Sequence, residues 1–466
     1  MSENSFDLVV IGAGPGGYVC AIRAAQLGLK VACIEKEFIG GTCLNVGCIP
    51  SKALLESSEL YSQAKENFKD HGIGIENLAL DIKQFMARKD KVVKQLTGGV
   101  AMLFKKNKIT SLMGEATLNA GKSITIKGKE GSQTVTGKSV VIATGSVPVN
   151  IPSFPFDGKR IIDSTGALSL SEVPKSLIIV GGGIIGLELG SVYLRLGTQV
   201  TVLEAFDRIA PSMDTETGTA FQKILTKQGM KFSLKAKVVS AKADAKAVSV
   251  VVEDETGKTQ TLTSDYLLVS VGRKPYTQGL GLESVGIKPD AKGRIPVTAN
   301  FETQADGVYA IGDVIAGPML AHKAMEEGVA VAQIIAGKKG HINYNLIPSV
   351  IYTWPEVAWV GLTEEQAKEA GLNYKAFKFP FLAVGRAIAS GEKDGFIKML
   401  ADKNTDRILG AHILGPRASE MISELVVAME FGAKASDLAN ISHAHPTLTE
   451  GIKEAALGLT TGTIHL

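Results

Sequence analysis

The 466-residue sequence is poor in cysteine, in net charge and in long apolar runs, and each shortage excludes a class of protein. Four cysteines in so long a chain cannot supply the dense bridging on which small secreted scaffolds depend. Fifty basic side chains against 47 acidic ones leave a formal charge of +3, so no global field favours nucleic acid or an anionic membrane as the main partner. The most membrane-like stretch, residues 177–187, contains four glycines and stops at Glu188, well short of the roughly 18 to 20 apolar residues of a spanning helix. The segment before Leu8 holds Glu3 and Asp7 and neither Lys nor Arg, so the basic flank of a secretory signal is missing and a cytoplasmic location is expected. No low-complexity tract and no short array repeat is visible.

Glycine, by contrast, is abundant at 51 residues, above a usual share of about 7%. Its placement is informative. An apolar run from Phe6 to Ile11 leads into GAGPGG, then into a helical pattern through Ile22, Ala25 and Leu27 that ends at Gly28, then into an apolar run from Val31 to Glu35. The same grammar returns: an apolar run from Ser176, then GGGIIG, a helical pattern to Gly197, and an apolar run that ends at Glu204. Gly12 to Glu35 and Gly181 to Glu204 both span 23 positions. One such glycine cluster would be weak evidence, but two with strand, helix and terminal acid in register predict two dinucleotide sites. In that reading the glycines make the turn, the close backbone approach and the helix packing, while Glu35 and Glu204 accept hydrogen bonds from ribose hydroxyls.

The remaining pattern is mixed. Residues 70–108 are Lys-rich and largely helical in periodicity, and residues 109–141 read as short strands with turns at 119–122 and 128–132. Pro148, Pro152 and Pro155 mark a linker, residues 236–269 again read as strand and turn, and helices are predicted over 321–335, 364–370 and 419–431.

Cys43 and Cys48 lie in GGTCLNVGCIPSK, ahead of a helical pattern that begins near Pro50, which places Cys48 at the positive end of a helix dipole. A zinc half-site is disfavoured because no second Cys or His pair is nearby, and Cys20 and Cys33 fall inside a predicted helix and strand as core residues. Two inert thiols remain an alternative to a redox disulfide, which the flanking glycines and the adjacent dinucleotide site favour. Lys52 stands one helical turn after Cys48, and Glu188, an acid in an apolar run, needs a partner for which Lys52 is a candidate. His445 precedes Pro446 and Glu450, an arrangement that can hold an imidazole in one tautomer and strengthen it as a base. The other histidines, at 71, 322, 341, 412, 443 and 465, have no such local carboxylate context and are read as structural or surface residues.

Together GAGPGG, GGTCLNVGCIPSK, GGGIIGLE, SVGRKP, YAIGDV, MLAHKA and HPTLTE resemble, in order along the chain, the pyridine nucleotide disulfide oxidoreductases. The resemblance implies an α/β protein with two Rossmann-like dinucleotide-binding domains, a central domain and a C-terminal α+β dimerisation domain. The corresponding ranges are 1–147 for FAD, 148–272 for NAD, 273–345 for the central domain and 346–466 for the interface. It implies FAD contacts from Gly12, Gly14, Gly17, Glu35, Lys52 and Gly114, from the turn Thr144, Gly145 and Ser146, and from Asp313, Met319, Ala321 and His322. It implies NAD contacts from Gly181, Gly183, Gly186, Glu188, Glu204, Val238 and Gly272, and catalysis by Cys43, Cys48, His445 and Glu450. The implied reaction oxidises a dihydrolipoyl dithiol carried by a separate chain, a lipoylated acyltransferase or a glycine cleavage carrier protein, with an active site completed across a homodimer. A glutathione-reductase-like enzyme is the nearest alternative. Glu204 would repel the 2′-phosphate of NADP, although Arg208 follows four residues on. A mercuric reductase is disfavoured because no cysteine follows Cys48, and a redox-dead structural subunit because Cys43, Cys48, His445 and Glu450 are all present.

Overall fold

Val9, Val10 and Ile11 follow one another without a polar interruption, a pattern stable in a strand only when both faces are covered. In the computed structural model, which describes residues 4–466, they belong to β1 (Ser5–Ile11) and are almost wholly buried. The chain continues through α1 (Pro15–Gln26), β2 (Val31–Glu35), α2 (Gly41–Val46), α3 (Cys48–Glu66) and α4 (Ile82–Lys106). It then forms β3 (Thr110–Met113), β4 (Glu115–Asn119), β5 (Ser123–Gly128), β6 (Gly131–Ile142) and β7 (Ser146–Pro148). The sheet order is β3-β2-β1-β6-β5-β4, with β3, β2, β1 and β6 parallel and the β4-β5-β6 portion antiparallel.

Two compact units divide the described residues. The first takes the chain up to Leu54, Lys83–Val149 and Gly272–Ile342. The return of residues 272–342 is built into its sheet and helix layer. The strand Val308–Ala310 pairs in parallel with the end of β6, and the helix Ala321–Ile335 packs on α1. The antiparallel pairing of Arg273–Pro275 with β7 ties in the start of the same segment.

The second unit contains Leu55–Ile82, Asn150–Val271 and Asn343–Leu466. A parallel sheet runs in the order Lys231–Ser233, Gln199–Leu203, Ser176–Val180, Tyr266–Val269, Ile161–Ile162, and the helix Ile184–Arg195 follows the strand Ser176–Val180. The strands Lys237–Ala243, Val248–Glu253 and Thr259–Ser264 form an antiparallel meander. The C-terminal part is an antiparallel sheet ordered Ser349–Ile351, Glu356–Gly361, Ile408–Gly415, Phe396–Asp402, Tyr374–Pro380. Against it the helices Ala418–Glu430 and Glu450–Thr460 bury Ile422, Leu425, Ile452 and Ala455. Among the described residues no helix is long and apolar enough to cross a membrane.

Candidate active site

The two glycine turns match bond for bond. Gly12 donates its N–H to Ile34 O at 2.8 Å and Gly181 to Leu203 O at 2.9 Å, and both glycines adopt φ 103°, a conformation that disfavours a Cβ. A Cβ on Gly17 would collide with the carbonyl oxygen of Gly12, and one on Gly186 with that of Gly181, so each helix can lie close to its strand only with glycine there. Gly14 and Gly183 are the extended N-caps of the two helices, and neither supplies a capping side chain, which leaves first-turn N–H groups for an anionic ligand. Glu35 Oε2 accepts the Ala13 N–H at 2.8 Å and Oε1 the Glu37 N–H at 2.9 Å, while Glu204 Oε2 accepts the Gly182 N–H at 2.6 Å and Oε1 the Phe206 N–H at 2.9 Å. Each carboxylate is thus fixed by backbone at the mouth of its turn and keeps lone pairs for ribose hydroxyls. These are the features a dinucleotide requires, and both turns fit one.

Beside the first turn a cleft is lined by Gly12, Glu35, Gly114 and Thr144. Gly114 donates its N–H to Glu35 O at 2.8 Å and Thr144 its hydroxyl to Tyr276 O at 2.7 Å. Lys36 and Tyr276 also line the cleft, with Lys36 Nζ 3.8 Å from the Tyr276 ring centre; no sequence signal had singled them out. The Ser146 hydroxyl donates to the Asp313 carboxylate, while Arg273 donates from Nε to Ser146 Oγ at 2.8 Å and from Nη2 to Ser146 O at 2.6 Å. Gly145, at φ 73°, accepts the Tyr276 N–H at 2.9 Å. The Asp313 turn is braced by a buried ion pair that the sequence reading missed. Glu327 accepts the Gly312 N–H at 2.7 Å and meets Lys323 Nζ at 2.9 Å, and Lys323 donates to Gly312 O at 3.2 Å. Met319 is half-buried in the following loop, and Ala321 and His322 open the next helix.

Cys43 lies in α2 and Cys48 is the first residue of α3, two positions earlier than the helix start expected at Pro50. The chain doubles back between them at Gly47, where a Cβ would stand 2.9 Å from Thr42 O. Both side chains are half-buried. A hydrogen bond with Cys48, then burial, then the charge of the neighbouring sulfur push the Cys43 thiol up, while Lys52 on α3 pulls it down. Tyr18 on α1 is raised by burial and by both thiols. Cys20 is a core thiol pushed up to about 12 by burial, and Cys33 is buried and raised in the same sense. No group of three metal-ligating side chains occurs among the described residues.

In the second unit Glu188 is 3% exposed among apolar neighbours and accepts the Tyr352 N–H at 3.0 Å, so this buried acid has a backbone partner. Val238 is half-buried in the strand Lys237–Ala243. Arg208 binds its own loop, donating to Thr215 Oγ1 at 3.1 Å and Pro211 O at 3.2 Å. Gly272, at φ 119° where the chain re-enters the first unit, accepts the Val149 N–H at 3.1 Å.

His445 Nδ1 is 2.9 Å from Glu450 Oε1, and the imidazole is 79% exposed, so Nε2 is left for solvent or substrate. Glu450 begins the helix Glu450–Thr460, and its Oε2 accepts the Thr447 N–H at 2.9 Å. Burial opposes its ionisation, but the Thr447 N–H and His445 together hold its carboxyl below the usual range. Two other histidines, read from the sequence as structural or surface residues, also meet carboxylates: His443 Nε2 lies 2.9 Å from Glu424 Oε1 and His465 Nδ1 2.7 Å from Glu454 Oε1. Those carboxylates are distant in sequence and left no local signal.

Two dinucleotide turns, a thiol pair at a helix start and an oriented histidine define a flavin- and nicotinamide-linked disulfide oxidoreductase. Residues 6–328 match the family model of pyridine nucleotide-disulphide oxidoreductases and residues 347–456 that of the family's dimerisation domain, and the chain belongs to this family. It is 51% identical to the mitochondrial dihydrolipoyl dehydrogenase of Pisum sativum over 99% of this chain and 92% of that protein. It is 52% identical to dihydrolipoyl dehydrogenase 3 of Pseudomonas putida over 98% of each. The crystal structure of LpdA from Mycobacterium tuberculosis is 26% identical with a TM-score of 0.90, over 97% of this chain and 99% of that one.

Proposed function

We infer that the chain is a flavin-dependent enzyme that oxidises protein-bound dihydrolipoamide to lipoamide and reduces NAD to NADH. The observation that carries this reading is the Cys43–Cys48 pair at the start of α3, in the unit that also holds the first dinucleotide turn. FAD and NAD are its cofactors, FAD at the Gly12 turn and NAD at the Gly181 turn, held by the residues assigned to each from the sequence. Glu204 and the commitment of Arg208 to Thr215 and Pro211 favour NAD over its 2′-phosphorylated form.

FAD held at the Gly12 turn would supply a two-electron acceptor for the thiol pair, and NAD held at the Gly181 turn would supply a hydride acceptor. The chain's own residues do the rest. In the oxidised enzyme Cys43 and Cys48 form a disulfide. His445, oriented by Glu450, removes a proton from one substrate thiol, and the thiolate attacks Cys43 Sγ, forming a mixed disulfide and releasing Cys48 as thiolate. The second substrate thiol gives its proton to solvent and attacks the substrate sulfur of that bond, which closes the lipoyl disulfide and frees Cys43 as thiolate. The substrate loses two electrons and the cysteine pair gains them. Lys52 offers a positive charge to the resulting thiolates.

The dimerisation domain supports a homodimer, in which His445 and Glu450 of one copy serve the thiol pair of the other. The lipoyl arm comes from a lipoylated acyltransferase or a glycine cleavage carrier protein. Functionally the chain divides at 147, 272 and 345 into FAD, NAD, central and interface domains, the third being a label for a stretch built largely into the first compact unit. The compartment in this reading is the cytoplasm. Replacement of Cys43 or Cys48 by Ser tests the mechanism: each variant should remain yellow with bound FAD and lose dihydrolipoamide oxidation. Full activity in both would place the chemistry elsewhere.

A further inference from the structure

A lysine whose ammonium is buried must find carboxylates, and Lys398 finds three. On the strand Phe396–Asp402 its side chain is 3% exposed, with Nζ 3.1 Å from both oxygens of Asp214, 3.1 Å from Glu216 Oε2 and 2.6 Å from Glu364 Oε2. Asp214 is fully buried and also caps the helix Thr215–Lys227: Oδ1 accepts the Thr217 N–H at 3.1 Å, and Oδ2 accepts the Glu364 N–H at 3.3 Å. The catalytic scheme uses none of these groups.

Asp214 ends a segment that starts at Glu204, and this segment grips the second glycine turn. Glu204 takes the Gly182 N–H at 2.6 Å, and Ala210 donates its own N–H to Gly182 O at 2.9 Å. Gly182 is therefore held on both sides of its backbone by residues of one strap. Ala210 adopts φ 42°, which a residue with a Cβ keeps only where its surroundings enforce it. Those surroundings are the buried side chains of Ile209 and Met213, the Met213 N–H on Ala210 O at 2.9 Å, and the Asp214 anchor.

We propose that Lys398, acting through Asp214, is a positioning residue for the NAD turn: it pins the far end of the 204–214 strap and so sets Glu204 and Gly182 in their binding geometry. This rests on the assignment of the Gly181 turn to NAD. Replacement of Lys398 by Met removes the cation, and the fully buried Asp214 must then leave its pocket or take up a proton. Either outcome slackens the strap. NADH titrated into the FAD-loaded protein and followed by calorimetry should bind roughly tenfold more weakly to K398M. The KM for NAD should rise in step, while FAD content and the KM for dihydrolipoamide stay at the values of the unaltered protein. K398R, which retains the cation, should restore most of the affinity. Unchanged NADH affinity in K398M overturns the proposal, as does an equal loss of FAD and of dihydrolipoamide affinity, which would mark general loosening of the fold. Should K398M fail to fold, D214N decides by the same criteria, because its amide oxygen keeps the Thr217 cap while the charge and the Glu364 N–H contact are lost. Failure of the unaltered protein to bind NADH would instead overturn the assignment of the turn, and this proposal with it.

Discussion

Adding one methyl group at each third glycine separates the two nucleotide sites. In Gly186→Ala the new Cβ would overlap the Gly181 carbonyl oxygen, stand 2.7 Å from Ser270 Oγ and 3.0 Å from Ile179 Cγ2. The Gly181 oxygen is backbone of the turn itself and cannot rotate away, so the helix Ile184–Arg195 must lift from the strand Ser176–Val180. Overpacking of this kind costs about 1–3 kcal/mol. Because the displaced atoms are those that would hold the pyrophosphate, most of that cost should appear in binding, as a roughly 5- to 150-fold rise in the Kd for NADH. Gly17→Ala is the matched perturbation, with its Cβ against Gly12 O and 3.4 Å from the Ala143 methyl. The assay is a pair of readings on each variant: flavin absorbance after gel filtration, and NADH affinity by calorimetry. G186A should be yellow, reducible by dihydrolipoamide and weak for NADH, whereas G17A should lose FAD. A G186A protein that sheds its flavin and binds NADH normally would refute the assignment of the two turns.

Further outcomes follow from the same geometry. Glu450→Gln keeps the shape of the His445 contact but removes its charge, and kcat for dihydrolipoamide oxidation should fall about 10²-fold with FAD retained; unchanged turnover would remove Glu450 from the mechanism. Glu450 has a depressed folded pKa, so its contribution to holding the 445–450 loop is present above its ordinary value of 4.5 and is lost as pH falls through the folded one. His412, fully buried against Leu362 O, is held below its ordinary 6.5 by burial, with the Lys398 charge acting in the same direction and Asp214 and Glu365 opposing. Its contribution is therefore present above pH 6.5 and is lost on acidification. His412→Asn should flatten the fall in Tm between pH 7 and 5 seen in the unaltered protein, and parallel Tm curves would contradict the sign.

The local features were legible and the long-range ones were not. Glycine turns with an acid 23 positions on identify themselves because strand, turn and helix are contiguous, and the expected helix over 321–335 matches Ala321–Ile335. Cys43, Cys48 and Lys52 fall in one short segment, and the His445–Glu450 contact, within one loop, was legible for the same reason. By contrast, Val308–Ala310 is a three-residue strand whose partner in β6 lies far back in the chain, so its periodicity is too short to reveal that residues 272–342 rejoin the first unit. The contacts Arg273–Ser146, His443–Glu424 and Lys398–Asp214 join residues separated widely in sequence, and Arg273, Glu424, Lys398 and Asp214 alone resemble ordinary surface charges. Burial, not spacing, marks them as structural.

The most direct test of the central claim is a crossed assay on the purified protein: dihydrolipoamide with NAD or NADP in one direction, and lipoamide or glutathione disulfide with NADH or NADPH in the other. The structure predicts NADH formation from dihydrolipoamide and NAD, with little reaction from NADP. NADPH-dependent reduction of glutathione disulfide without turnover of dihydrolipoamide would contradict it.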